Sequence, residues 1–388
     1  MQPIGIDAIA FHTASYCLSL KALAQAHHVE PDKYLTTGLQ KISIAAPDED
    51  IVTLAANACA KLFQNNARNN IETILFATES SIDQSKSAGI YVHSLLQLPE
   101  NCRVVELKQA CYSATAALQI AAALVKKNPQ KKVLLVAADI ARYQLNSPGE
   151  PTQGSGAIAM LISLNPRLFI LEDHYSVYTH DVMDFWRPNY SSTAFVEGKY
   201  SSILYLRALQ KTWEDYKNKT ALNYHDHDFY CYHIPVPKLV EKAHKYLAKI
   251  NNIILENDDI KHALQPFLHY TSLIGNSYTA SLYIGLLSLL DNMQKNIAGK
   301  RIGCYSYGSG LVAEFFSLVV QSNYQEYSQK DLNQTMLNER QELLYNDYLE
   351  FYNFKLPEDG SEFNIKPWSH GKFRLKGINA HKRIYEKL

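Results

Sequence analysis

The chain has 388 residues, 47% hydrophobic and 20% charged, with 38 basic and 38 acidic side chains and zero formal net charge. This length is too great for one small core and fits two domains or a duplicated pair. The neutral balance argues against nucleic-acid and anionic-membrane partners, which need a basic surface.

The six cysteines, at 17, 59, 102, 111, 231 and 304, form neither a CxxC pair nor a secreted disulfide framework. Asn218-Lys219-Thr220 and Asn333-Gln334-Thr335 match the glycosylation pattern, but nothing else points to secretion. The chain opens on a strand-like run, Ile4 to Phe11, with no basic and apolar leader ahead of it. Its longest apolar helical run, Tyr278 to Leu290, falls short of the ~20 residues that span a bilayer. A cytoplasmic location is expected.

Behind Asp48-Glu49-Asp50, the residues Val52, Ala55, Cys59 and Leu62 recur at helical spacing. A strand over Thr73–Ala77 follows. A helix comes next, with Ala88, Tyr91, Val92, Leu95 and Leu96 on one face, and then a strand over Arg103–Leu107. Ala114 to Val125 is apolar nearly all round, which predicts a helix buried on every side. Val133–Ala137 and Gly156–Leu164 predict two more strands. In the second half, Phe169–Leu171, Phe229–His233, Ile302–Tyr305 and Val312–Val320 predict strands, and Lys238–Ile250 and Tyr278–Leu290 predict helices. The alternation implies an α/β fold with mostly parallel, buried sheets. The halves divide as 1–166 and 167–388. From about 322 the chain turns polar and Tyr-rich, and we read a helical and irregular extension there.

Cys111 stands between a strand and a helix, where the helix macrodipole lowers a thiol's pKa and a sharp turn presents a nucleophile. The alternative is an inert buried cysteine. Glu79 closes the strand before it, at the carboxyl end where α/β folds place ligands, and partial burial suits it to acid–base work. The alternative is a helix-entry acid. His233 ends an apolar strand, where it could donate a hydrogen bond to a carbonyl or move a proton; the alternative is a satisfied core histidine. Gly308-Ser309-Gly310 allows backbone N–H groups to approach a ligand, or is a plain turn. The Gly149–Gly156 loop lacks the Gly-Lys-Ser/Thr ending of a phosphate loop. His225-Asp226-His227-Asp228 has no further ligand in view and reads as a solvated loop rather than a metal site.

The runs Ala77–Lys86, Glu106–Tyr112 and Ala137–Tyr143, the Gly149–Gly156 loop, Asp184–Pro188, Gly275–Thr279 and Ser306–Gly310 together resemble the bacterial 3-hydroxy-3-methylglutaryl-CoA synthases, in the same order to about residue 320. The resemblance implies a thiolase-like fold, two similar halves in a five-layered αβαβα sandwich, usually dimeric. It implies that Cys111 is acetylated by acetyl-CoA, that Glu79 is the general base, and that His233 and Asn276 hold an acetoacetyl thioester. The N–H groups of Cys111 and Ser309 would form an oxyanion hole. Lys238 would meet the CoA phosphates, and Asp139, Tyr143, Thr152, Phe185 and Ser201 would line the acyl pocket. No metal or redox cofactor is implied; the partners are CoA thioesters.

The chain reads Cys111-Tyr112-Ser113-Ala114 where eukaryotic members carry glycines. Its ending, Gly371–Lys376 and Arg383–Glu386, and the run Lys108–Cys111 resemble relatives that act on acyl carrier proteins in polyketide β-branching. A carrier-protein acceptor is therefore the second reading, and a thiolase-fold scaffold the non-enzyme one. The retention of Cys111, Glu79 and His233 together speaks against the scaffold.

Overall fold

Side-chain alternation along the strands sets the layers. The computed structural model describes residues 2–388. The first half runs β1 (Ile4–His12), α1 (Ile51–Leu62), β2 (Ile71–Ala77), α2 (Ala88–Leu95), β3 (Arg103–Leu107), α3 (Ser113–Lys127), β4 (Lys132–Ala141) and β5 (Gly154–Leu164). On β4, Val133, Leu135 and Ala137 face the α3 side, while Leu134, Val136 and Ala138 face α1. Helix α1 starts where expected because Asp50 accepts from Val52 and Thr53 N–H, and Thr53 returns a bond to Asp50 N–H.

The second half runs β6 (Phe169–Thr179), α4 (Gly198–Thr220), β7 (Phe229–Tyr232), α5 (Pro237–Ile250), α6 (Asn257–Ile274), α7 (Ser281–Asn292), β8 (Arg301–Gly308) and β9 (Val312–Val320). On β8, Ser306 bonds Thr115 of α3, whereas Tyr305 packs on Tyr205 of α4. On β9, Glu314 reaches α3 and Phe315 meets Trp213 of α4. Outer helices, sheet, central α3 and α7, sheet and outer α4 thus form the five-layered αβαβα sandwich.

The strands run β7-β8-β9-β6-β1-β5-β4-β2-β3. Reading outward from the centre, β1-β5-β4-β2 and β6-β9-β8-β7 repeat one order and one set of directions: antiparallel, antiparallel, parallel. The mostly parallel sheet expected from alternating elements is not found. Each half closes with a strand that returns antiparallel to the one before it, as β9 does on β8 after a three-residue turn.

Two further expectations are corrected. Helix α3 is not buried on every side: Ile120 is 41% exposed, and Ala123 lies on the same outward stripe. The extension is not merely helical and irregular. After α8 (Lys330–Asn338) and α9 (Tyr345–Asn353) it builds a sheet from β10 (Phe363–Asn364), β11 (Phe373–Asn379) and β12 (Lys382–Lys387). Phe373, Arg374 and Leu375 are all buried, Arg374 through its bond to Glu386, so no period-two pattern marks β11.

Candidate active site

The chain leaves β3, turns through Gln109–Tyr112 and enters α3. Ala110 takes a left-handed φ of 42° immediately before Cys111, a conformation that costs a non-glycine residue energy. Ser113 holds the turn: its Oγ donates to Ala110 O (2.9 Å) and accepts from Gln109 N–H (2.5 Å). Gly308 presses against this turn, since a Cβ there would stand 2.6 Å from both Gln109 O and Tyr112 N. Gln109 Nε2 donates to Ser309 O at 3.2 Å. The Ser309 N–H finds no acceptor among the described residues, as an oxyanion-hole donor requires.

Glu79 faces the thiol, with Cys111 Sγ 3.8 and 3.9 Å from its two oxygens. Burial pushes the Glu79 carboxyl well above the usual carboxylate range; Asp139 adds to the rise, and Arg187 and the Cys111 contact oppose it. The Cys111 thiol also moves up, through burial and then the carboxylates of Glu79, Asp139 and Asp184. The lowering expected from the helix macrodipole does not occur, because desolvation and three acidic neighbours outweigh it.

Asp139, expected to line the pocket, lies behind Glu79 and is fully buried. Its Oδ1 accepts from Thr78 Oγ1 (2.8 Å), Glu79 N (2.9 Å) and Ser80 N (3.0 Å). Its Oδ2 accepts from Thr279 N (3.0 Å) and Thr279 Oγ1. With five donors already on it, Asp139 fixes the Glu79 backbone and has little to offer a ligand.

His233 follows β7. Its N–H donates to Tyr305 O (2.7 Å), and its carbonyl accepts from Tyr205 OH (2.6 Å). Ser281 Oγ accepts from Ile234 N–H (3.2 Å) and lies 2.8 Å from His233 Nδ1. We assign the Ser281 hydroxyl as the donor to Nδ1, which places the ring proton on Nε2. Burial lowers the His233 pKa to about 3, so the ring is a neutral Nε2–H donor at ordinary pH. Nothing in the sequence distinguishes Ser281 from an ordinary helix-start serine.

Asn276 is seated from two sides: its N–H donates to Thr152 O (3.1 Å) and its Oδ1 accepts from Tyr278 N–H (2.9 Å). Thr152 thus acts through its carbonyl. The Gly149–Gly156 loop owes its last glycine-dependent contacts to packing: a Cβ on Gly154 would meet Ile274 O at 2.3 Å. Tyr143, Phe185 and Tyr278 pack edge to face beside Cys111, with centroids 5.8–6.4 Å apart. Ser201 does not line this pocket directly; its Oγ donates to Asp184 Oδ2 (2.9 Å), which also accepts from Tyr307 OH (2.7 Å). Asp184 Oδ1 accepts from Gly310 N–H (2.9 Å), so this carboxylate holds the Ser309 turn.

Glu79, Phe185, Arg187 and Ser309 line a cleft of about 1450 Å³. Lys238 does not reach it; it is exposed on the first turn of α5 and pairs with Glu241 at 2.8 Å. Nor is 225–228 wholly a solvated loop. His227 is 5% exposed, packs edge to face on Trp213 and bonds Ser317, while Asp228 pairs with Lys300. Among the described residues no group of three or more His, Cys, Asp or Glu side chains is placed to hold a metal ion.

A thiol on a strained strand-to-helix turn, facing a carboxylate within this sandwich, defines a thiolase-fold acyltransferase. Residues 1–166 match the family model for the hydroxymethylglutaryl-coenzyme A synthase N terminal, and 170–264 and 244–367 match that for its C terminal. The chain is 41% identical to the hydroxymethylglutaryl-CoA synthase of Enterococcus faecalis, covering 89% of this chain and 90% of that one. A crystal structure of HMG-CoA synthase complexed with CoA superposes with a TM-score of 0.94 at 40% identity, over the whole of both chains. The polyketide 3-hydroxy-3-methylglutaryl-ACP synthase PksG of Bacillus subtilis is 31% identical over 90% of this chain and 87% of its own. The chain belongs to the hydroxymethylglutaryl-CoA synthase family.

Proposed function

We propose that the protein condenses acetyl-CoA with acetoacetyl-CoA and water, giving 3-hydroxy-3-methylglutaryl-CoA and free CoA, in the mevalonate route to isoprenoids. The Cys111–Glu79 contact carries this reading. The thiol attacks the acetyl thioester, its proton leaves with CoA, and an acetyl-Cys111 thioester forms. Glu79 takes a proton from the acetyl methyl group, and the enolate oxygen rests on the Ser309 and Cys111 N–H groups. The enolate carbon attacks the acetoacetyl ketone, held by His233 Nε2–H and the Asn276 amide, and the alkoxide takes the proton back from Glu79. Water then cleaves the thioester to Cys111. A carboxyl held high by burial suits both proton transfers.

The cleft rim carries Lys86 and Lys108 but also Asp83 and Asp181. The rim charge does not separate CoA from a carrier protein, both being anionic; the higher identity to the Enterococcus faecalis CoA enzyme, 41% against 31% to PksG, supports CoA. Ile120, Tyr175 and Val177, each 41–45% exposed, lie outside the cleft. Their exposure supports a homodimer that covers them. Six free cysteines fit a reducing cytoplasm, and no helix among the described residues is long and apolar enough to cross a membrane.

Thiol release from acetyl-CoA, with acetoacetyl-CoA or an acetoacetyl-carrier protein as acceptor, tests the assignment. Turnover with acetoacetyl-CoA is expected. Turnover on the carrier protein alone would move the enzyme to polyketide branching.

A further inference from the structure

A second cavity, about 290 Å³, lies between the end of β1, helix α1 and the C-terminal extension, and shares no residue with the catalytic cleft. Three basic side chains line it, Lys61, Arg340 and Lys372, against one acid, Glu339. That is a local excess in a chain whose charges otherwise balance.

The half-buried Lys61 and Arg340 lack counter-ions. Lys61 Nζ donates to Phe11 O (3.0 Å) and Met336 Sδ (2.9 Å), leaving one of its three protons unused. Arg340 donates through Nε to Leu337 O (3.1 Å) and through Nη1 to Ser43 Oγ and Leu273 O (both 2.9 Å). Its Nη2 has no acceptor. No carboxylate lies within ion-pair distance of either cation among the described residues. His12 is only 9% exposed, yet both of its ring nitrogens lack partners.

Unpaired cations and an unpartnered imidazole at a buried wall are costly, and an anion among them offsets that cost. Burial brings the Lys61 pKa down to about 8 and lowers that of Arg340, as expected of cations that lack an anion, and burial with Lys61 nearby holds His12 neutral. The rest of the wall includes Ala60, Leu332 and Met336, which suit hydrocarbon better than a fully hydrated ion.

We propose that this cavity binds a short-chain carboxylate, with its carboxyl group on Arg340, Lys61 and His12 and its hydrocarbon on Ala60, Leu332 and Met336. The free Arg340 Nη2 and the unused Lys61 proton supply the charge-assisted bonds that orient it.

The test is calorimetric titration of the full-length protein with sodium butyrate, with inorganic phosphate as a second titrant and sodium chloride matching ionic strength. Saturable butyrate binding is expected, with phosphate weaker. Arg340→Gln and Lys61→Met should each weaken it by about tenfold or more. Should those variants fold poorly, Leu332→Glu at the half-exposed mouth supplies a competing carboxylate without disturbing the core, and should also weaken binding. No butyrate binding beyond the chloride control, phosphate binding the tighter, or affinity unchanged in all folded variants overturns the proposal.

Discussion

Cys111 and Glu79 stand 3.8 Å apart, both held toward their protonated forms by burial and by Asp139. Glu79 must be ionised to take the methyl proton, so condensation should fail as pH falls through its raised pKa. The acidic limb of the condensation rate, measured in single-turnover experiments, should lie well above the ordinary carboxylate value of 4.5. His233, with a pKa of about 3, should contribute no limb between pH 5 and 8. Ser281→Ala removes the donor to Nδ1 and frees the other tautomer. Condensation should slow by roughly tenfold or more while acetylation of Cys111 stays unchanged, a split that general misfolding would not produce. The residues legible in the sequence were those with distinctive chemistry at element ends: Cys111, Glu79 and His233. Ser281, Asp184 and Tyr278 act through contacts between segments distant in sequence, which spacing cannot reveal.

At the scale of elements, helix α3 docks on β9 through Glu314, which accepts from Tyr112 OH (2.6 Å) and Gln119 Nε2 (2.5 Å). Burial raises the Glu314 pKa from 4.5 to about 7. The folded state thus binds this proton more tightly than the unfolded chain, and the resulting stability is full below pH 4.5 and lost as pH rises through 7. Between pH 5 and 8 the wild type should lose about 3 kcal/mol relative to Glu314→Gln, read from urea unfolding at each pH. Asp50 joins two other elements, capping α1 while accepting from Arg383 and Tyr385 of β12. Asp50→Ala should cost about 3 kcal/mol, a lost cap plus unpaired partners, seen as a lower urea midpoint. Strands β1 to β4 were legible because apolar runs mark them, whereas α6 carries Pro266 within it and α4 is highly charged.

For the whole molecule, the two halves of the nine-stranded sheet and the central helices form one buried body, and the extension is fastened to it. Trp368 and Ser369 N–H groups donate to the fully buried Asp48. Alternating strands and helices pointed to an α/β fold, and the duplicated five-layered sandwich followed from the family resemblance. The sequence concealed the antiparallel closures and the tail sheet, since neither has a periodic signature of its own.

The central claim is that Cys111 carries the acetyl group and Glu79 makes it a carbon nucleophile. Glu79→Gln, incubated with acetyl-CoA and then acetoacetyl-CoA, separates the two roles when the intact protein and its peptides are weighed by mass spectrometry. The account predicts an acetyl group on Cys111 that persists after the acceptor is added, with condensation reduced by about 10²-fold or more. Acetylation at another residue, or near-normal product formation by this variant, would contradict it.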